Sequence, residues 1–205
     1  MARDRASRPE AKPLRLFVAA EVPEDVRARV EVAVAPLRGR FPRARWVPSA
    51  NQHVTMKFLG STWPRLVEWV AARVGEVTAA GAPFEARVSG IGAFPNARRA
   101  RVLWAGLDDP MDRLAALATG LEEALGREFA PEKRAFTPHL TVARFDPPVG
   151  LEDLDDIDVV SESFQVDRLV LFRSHLRRPA PVYEVLAAFP LGGAADPIPP
   201  DAADA

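Results

Sequence analysis

The chain has 205 residues, of which 48% are hydrophobic and 27% are charged, and its formal net charge at pH 7 is −1. This composition supports a folded core, but it gives no overall positive charge that would hold long nucleic acid by counterion release. The sequence contains no cysteine, which excludes disulfides, thiolate nucleophiles and cysteine-based metal centres.

No apolar run approaches the ~20 residues that cross a membrane. The N-terminal segment also lacks the apolar centre of a signal peptide, so we expect a cytoplasmic protein without a membrane contact. Residues 1–13 and 192–205 have no hydrophobic periodicity and are predicted to be disordered. The folded part is then one domain over residues 14–191.

The first half of this domain predicts strands separated by two amphipathic helices. Proline and acidic residues favour the first turn of the first helix, and glycine favours its end near residue 39. The predicted elements are a strand at 14–21, a helix from Pro23 to about Arg38, strands around 45–47 and at 52–59, and a helix after Thr62.

The second half predicts a third helix between pairs of strands, with an irregular segment at 147–161. Its elements are strands at 83–94 and 100–107, a helix capped by Asp108 or Asp109 and ending at Gly126, and strands at 137–145, 163–173 and 181–189. Because single strands and helices do not alternate regularly, the order indicates an α+β fold with mainly antiparallel sheets.

Two segments of the chain are near copies of each other. Asn51-Gln-His-Val-Thr-Met-Lys-Phe-Leu-Gly60 and Phe136-Thr-Pro-His-Leu-Thr-Val-Ala-Arg-Phe145 each contain His-x-Thr, and the chain has only three histidines. Alternate side chains of a strand share a face, so His53 and Thr55 should project together, and so should His139 and Thr141. The residues predicted to point the other way, into a core, are Val54, Met56, Leu140 and Val142. One motif in each half indicates two pseudo-symmetric lobes.

Paired histidines are open to several interpretations. Two unrelated strand histidines are the simplest, but the matched frames disfavour that. A zinc site usually adds further His, Cys or carboxylate ligands, and here the partner is threonine. A serine–histidine–aspartate site would leave the second histidine unexplained. General acid–base catalysis needs one neutral and one protonated histidine, and it fits best without any metal or cofactor.

Other residues near the motifs are open to more than one interpretation. Threonine hydroxyls on the histidine face can donate to phosphate oxygens. Lys57 shares that face by strand alternation, and it is interpreted either as an added charge or as a solvated lysine. Arg144 lies five residues after His139, so it can join the site only if the strand ends, twists or bulges there.

Several aromatic and basic residues are interpreted as structural. Phe17 lies in the first strand and is either a core residue or a platform that stacks on a base. His175 lacks a matching threonine and is expected at the surface of a strand end. The residues expected in the core are Trp46, Phe58 and Trp104, and those expected in a solvated turn are Arg98, Arg99 and Arg101.

With both motifs in view, the chain resembles the two-histidine (2H) phosphoesterase superfamily. More closely, it resembles the RNA 2′,3′-cyclic phosphodiesterases, also called 2′-5′ RNA ligases. The resemblance runs from Leu14 to Leu191. Besides the two motif segments, it includes Arg15-Leu-Phe-Val-Ala-Ala, Gly92-Ala-Phe-Pro-Asn96, Arg101-Val-Leu-Trp104 and Val185-Leu-Ala-Ala-Phe-Pro-Leu191.

The resemblance implies a bilobal α+β fold whose central cleft carries both His-x-Thr strands. It also implies metal-free opening of an RNA terminal 2′,3′-cyclic phosphate to a 2′-phosphate, with 2′-5′ ligation as a related activity. By analogy, His53 is the general acid and His139 the general base, although the sequence leaves that assignment open. Thr55 and Thr141 would bind the phosphate oxygens.

The same resemblance assigns Arg144 to phosphate binding and Phe17 to stacking on the terminal base. Arg144 can reach the phosphate only if the strand ends or bulges there, so the resemblance predicts such an irregularity. The expected partners are RNA ends that carry a 2′,3′-cyclic phosphate, and the expected state is a monomer. The alternatives are a 2H enzyme acting on another small nucleotide or on a 2′-5′ oligonucleotide, and a non-catalytic RNA- or nucleotide-binding module.

Overall fold

The computed structural model describes residues 12–151 and 154–193. Its strands are β1 Leu14–Ala20, β2 Arg45–Trp46, β3 Val54–Thr62, β4 Phe84–Phe94, β5 Ala100–Asp108, β6 His139–Val149, β7 Phe164–Val166, β8 Arg168–His175 and β9 Val182–Pro190. Its α-helices are α1 Glu24–Arg40, α2 Val67–Ala79 and α3 Arg113–Leu125. Both predicted disordered termini lie largely outside the described residues.

The strands form one sheet with the order β7-β4-β5-β6-β3-β1-β8-β9, and β2 also pairs with β6. Each of these pairings is antiparallel. The predicted α+β class with a mainly antiparallel sheet is therefore confirmed. The two motif strands, β3 and β6, are neighbours at the middle of the sheet, with three strands on the outer side of each.

The sheet is strongly curled. A single residue, Asp167, separates β7 from β8, although β7 is one edge strand and β8 lies next to the other edge. Consecutive Cα atoms are only about 3.8 Å apart, so the two sides of the sheet must approach each other there. Where the sequence predicts one strand at 163–173, the chain therefore forms two strands that pair with opposite sides of the sheet.

One face of the sheet carries the hydrophobic core. The apolar stripes of the helices are buried as predicted, with Val70 and Val74 of α2 and Leu114 and Leu121 of α3 all at 0% exposure. The motif residues predicted to face the core are buried as well: Val54, Met56, Leu140 and Val142. The opposite face of β3 and β6 is therefore left for the histidines and threonines.

Element ends differ from prediction where side chains or distant pairing decide them. Asp109 accepts hydrogen bonds from the Met111 and Leu114 backbone N–H groups at 3.3 and 2.6 Å, as a capping residue does, but α3 itself begins only at Arg113. Strand β6 continues to Val149, through two prolines, because Val149 pairs with Ala100 of β5. Part of the segment predicted to be irregular is therefore strand.

Candidate active site

The pairing of β3 with β6 brings the two motifs together. Val54 lies opposite Leu140 in an antiparallel register, so His53 lies beside Thr141, and Thr55 lies beside His139. All four side chains belong to the face opposite the core, because side chains alternate along a strand. The predicted His–Thr quartet is thus assembled from residues 86 positions apart in the chain.

The backbone orients both imidazoles in the same way. Nδ1 of His139 donates to the carbonyl oxygen of Thr137 at 2.7 Å, and His53 makes a corresponding backbone hydrogen bond to Asn51. Each partner lies two residues before its histidine. A carbonyl oxygen only accepts, so the neutral His139 ring carries its proton on Nδ1 and keeps a lone pair on Nε2.

Burial lowers the pKa of both histidines. The pKa of His53 falls from 6.5 to about 4, mainly through desolvation, with a smaller contribution from His139, while the hydrogen bond to Asn51 opposes the change. The pKa of His139 is also lowered, first by burial and then by the charge of Arg144, against the bond to Thr137. Both rings are therefore neutral at pH 7 in the free protein, and a bound anion would favour their protonation.

Aromatic rings enclose His53. Phe17 stacks on it with centroids 4.8 Å apart and an interplanar angle of 22°, and Tyr183 meets it edge-on at 5.3 Å. Phe17 also stacks on Phe172 at 5.2 Å and is only 3% exposed. The predicted base-stacking platform is thus covered by protein, and in this structure Phe17 positions the ring of His53 instead.

His139 has its own aromatic neighbours, which the sequence did not predict to lie at the site. Phe94 meets its ring edge-on at 5.2 Å, and Trp104 lies 6.2 Å away. A Cβ at Gly92 would come within 2.2 Å of the Trp104 indole, so glycine there lets the indole lie against β4. The interpretation of Trp104 as a core residue is wrong: it pairs with Thr141 in the ladder and shares the histidine face.

A β-bulge in β6 brings Arg144 to the site. Leu103 pairs with Ala143 and Trp104 pairs with Thr141, so one step along β5 matches two steps along β6 at Val142. Val142 and Ala143 are both fully buried, and Arg144 is exposed. The bulge restores Arg144 to the face of His139 and Thr141, which confirms the irregularity predicted there.

The first motif contains the same bulge, which the sequence interpretation did not anticipate. Val18 pairs with Lys57 and Ala19 with Thr55, so the extra residue is Met56. Lys57 therefore turns inward, where its Nζ donates to the Glu122 carboxylate at 2.7 Å and to the Ala130 carbonyl at 3.0 Å. The interpretation that Lys57 shares the histidine face is wrong.

Phe58 occupies the position in β3 that Arg144 occupies in β6. It is 41% exposed, so its interpretation as core is also wrong. The Arg15 guanidinium lies 4.6 Å from the centroid of its ring, a cation–π distance. The two motif strands thus present an aromatic residue on one side of the quartet and a cation on the other.

A cavity of about 670 Å³ opens beside the quartet. Thr55, His139, Thr141 and Arg144 all line it, together with residues of α3 and of the segment before β6. A second cavity, of about 630 Å³, lies between α2 and α3 and is lined mostly by Ala, Gly, Val and Leu. None of the predicted site residues lines the second cavity, so the first is the candidate active site.

The third histidine lies away from this cavity. His175 Nε2 is 2.6 Å from the Glu184 carboxylate. Across residues 12–151 and 154–193, no three His, Asp or Glu side chains are grouped so that they could hold a metal ion. Within those same ranges, no helix is both long and apolar enough to cross a membrane.

Comparison with known proteins agrees with this arrangement. The family model described as 2′-5′ RNA ligase superfamily matches residues 22–178. The chain belongs to this superfamily. The match spans both His-x-Thr strands and all three α-helices, while β1 and β9 lie outside it. Membership therefore rests on most of the described fold and not on a local motif.

Individual relatives cover most of the chain. An RNA 2′,3′-cyclic phosphodiesterase of Thermus thermophilus is 36% identical over 196 residues, covering 88% of this chain and 91% of the relative. One of Geobacillus stearothermophilus is 28% identical over 88% of this chain, which spans 58% of that longer protein. The crystal structure of TT0787 of Thermus thermophilus superposes with a TM-score of 0.70 at 34% identity, covering 88% of this chain and 99% of that one.

Proposed function

We propose that this protein hydrolyses the 2′,3′-cyclic phosphate at an RNA end to a 2′-phosphate, with His53 and His139 as the acid–base pair. The observation that carries the proposal is the Val54–Leu140 register, which brings His53 beside Thr141 and His139 beside Thr55, at a cavity lined by Thr55, His139 and Thr141. The names of the relatives support the cyclic phosphate as the substrate class.

The proposed reaction needs one proton taken up and one proton delivered. A water oxygen attacks phosphorus while the neutral histidine takes its proton through Nε2. The bond from phosphorus to the 3′-oxygen breaks, and the protonated histidine gives its Nε2 proton to that oxygen. The products are a 2′-phosphate and a 3′-hydroxyl. A 5′-hydroxyl of another RNA, attacking in place of water, would instead leave a 2′-5′ linkage.

Thr55, Thr141 and Arg144 are proposed to hold the non-bridging phosphate oxygens. Negative charge grows on these oxygens as the nucleophile adds, so donors already in place stabilise the transition state. After burial, the charge of Arg144 is a further cause of the lowered pKa of His139. An anion between them would reverse that effect and favour the protonated ring.

The resemblance makes His53 the acid and His139 the base. In the free protein burial lowers both pKa values, that of His53 to about 4, so neither ring is protonated at pH 7 before a substrate binds. In the proposed complex, the phosphate lies against both rings, and its negative charge decides which histidine is protonated. We keep the assignment from the resemblance as the proposal.

The two sides of the sheet that meet at β3 and β6 are proposed to act as the two lobes, with the cavity as the cleft between them. Each lobe supplies one His-x-Thr motif. Because all four residues come from one chain, the protein is proposed to act as a monomer.

The experiment compares turnover of a short RNA ending in a 2′,3′-cyclic phosphate, with excess EDTA present. We expect His53→Ala and His139→Ala each to lower the rate about 10²–10⁴-fold, the usual contribution of one acid–base group. His175→Ala is the matched control, because it removes the one histidine that lies outside the site, and it should keep the wild-type rate. Loss of wild-type turnover in EDTA, or full activity in either site variant, would overturn the mechanism.

A further inference from the structure

Two arginines face each other across β2 and β6, beside the quartet. Arg45 pairs directly with Arg144, and Trp46 pairs with Ala143. Side chains directly opposite in an antiparallel pair project from the same face, with Cβ atoms about 4.5–5.5 Å apart. Ala143 is fully buried on the core side, so Arg45 and Arg144 both project on the side of the histidines.

This pairing places two positively charged side chains opposite each other. Both side chains are exposed, and among residues 12–151 and 154–193 no carboxylate lies within 4.0 Å of either guanidinium. Like charges directly opposite on a sheet destabilise it. An anion bound between them would remove that repulsion, and guanidinium groups suit phosphate oxygens in particular.

Arg144 lines the cavity, and Arg45 lies next to it on the neighbouring strand β2. Val102 of β5 lies on one side of Arg144 and lines the cavity with it, whereas Arg45 lies on the other side, on the edge of β6 that also pairs with β3. Neighbouring strands are about 4.8 Å apart. Arg45 also precedes His53 by eight residues and lies on the same side of β6. A ligand held by the quartet could therefore continue past Arg144 to Arg45.

We propose that Arg45, together with Arg144, binds the phosphodiester that precedes the terminal nucleotide. This inference rests on the proposed function and narrows its substrate class to an oligonucleotide end with at least two phosphates. A mononucleoside cyclic phosphate fills only the quartet. With a net charge of −1 for the whole chain, selection for longer RNA has to come from such a local contact.

The test compares kcat/KM for a dinucleotide and for a mononucleoside, each ending in a 2′,3′-cyclic phosphate. We expect Arg45→Ala to lower the dinucleotide-to-mononucleoside ratio about 10-fold, as expected for loss of one charged hydrogen bond, and Arg45→Lys to restore part of it. Arg43→Ala is the matched control: it removes the same charge from an exposed turn two residues earlier, and it should leave the ratio unchanged. An unchanged ratio in Arg45→Ala would overturn the inference.

A binding measurement separates this inference from the proposed function. Calorimetry compares a dinucleotide and a nucleoside that both carry a 2′-phosphate, at several salt concentrations. We expect the dinucleotide to bind more tightly through Arg45, and Arg45→Ala to reduce the slope of log K against log salt by about 0.7. If this held without turnover of either cyclic substrate, the proposed function would fail and the phosphate subsite would stand. Equal slopes in wild type and Arg45→Ala would overturn the subsite, whatever the turnover.

Discussion

His53 has an unusual environment for a histidine that must exchange protons. It is stacked on the buried Phe17, and desolvation lowers its pKa to about 4. Below pH 6.5, where the unfolded chain protonates this residue, the cost of charging the buried ring lowers the free energy of unfolding. Under the proposed mechanism, the same cost couples proton uptake by the ring to phosphate binding.

The lowered pKa of His53 predicts how the stability of the protein depends on pH. Below pH 6.5 the unfolded chain protonates residue 53 while the folded state resists protonation, so the free energy of unfolding falls with pH until about pH 4. The full loss from this group is about 3 kcal/mol. His53→Phe keeps a ring for the stack and removes the titration, so its free energy of unfolding should fall about 3 kcal/mol less between pH 7 and pH 4.

Urea unfolding at fixed pH values measures this difference. Carboxylates also titrate in the window, but they are the same in both proteins and cancel in the comparison. Parallel curves for wild type and His53→Phe would show that the folded protein protonates His53 as readily as the unfolded chain does.

At the scale of elements, the two motif strands share a bulge that changes which side chains face the site. It brings Arg144 out of β6 and turns Lys57 inward from β3. The buried Lys57–Glu122 ion pair then ties β3 to α3 directly beside the cavity, since Glu122 lines it and Lys57 is 1% exposed. This ion pair is a structural contact that holds β3, and with it Thr55, against α3.

Removing Glu122 should therefore lower the free energy of unfolding more than removing Lys57 does. Glu122→Ala leaves a buried ammonium without its carboxylate, so we expect the free energy of unfolding to fall by about 3 kcal/mol. Lys57→Met keeps the apolar stem and leaves a carboxylate that is already 25% exposed, so the loss should be nearer ~1 kcal/mol. Chemical unfolding of both variants measures the difference.

Glu123→Ala provides the control, because it removes the neighbouring exposed carboxylate of the same helix. It should change stability by less than about 0.5 kcal/mol. Equal losses for Glu122→Ala and Lys57→Met would mean that desolvation of Lys57 does not set the cost.

The elements also show which features could be predicted from the sequence. Apolar spacing predicts the helices and strands because each buries its own stripe, and the His-x-Thr frames predict each His–Thr pair because alternation is a local property. The meeting of the two pairs was implied only by the resemblance. The bulge at Met56 could not be predicted, since it depends on the register with β1. At Val142 only the conflict between alternation and the role implied for Arg144 pointed to a bulge. Phe94 and Trp104 reach His139 through β4–β5–β6 pairing, which no local pattern reveals.

At the scale of the whole molecule, the sheet and the cavity are complete within the described residues. The backbone N–H groups of Leu191 and Gly192 donate to the carbonyl oxygens of Asp167 and Thr78 at 2.8 and 2.9 Å. These bonds hold the segment after β9 against the end of α2 and the β7–β8 connection. We expect a chain limited to residues 12–193 to keep the wild-type kcat/KM and the wild-type unfolding midpoint. A matched chain ending at residue 189 loses these bonds and should unfold at lower denaturant. Reduced activity in the 12–193 chain would show that a terminal segment contributes to the site.

The single residue between β7 and β8 has a mechanical consequence. These two strands belong to opposite sides of the curled sheet, so Asp167 is a one-residue connection that holds the two sides together. Separating the two sides of the sheet would break strand pairing on one of them. A hinge motion would need several residues that can change their backbone angles, and the connection has only one. We therefore expect the fold to fix the width of the proposed cleft, so that a substrate is selected by whether it fits that width before any chemistry begins.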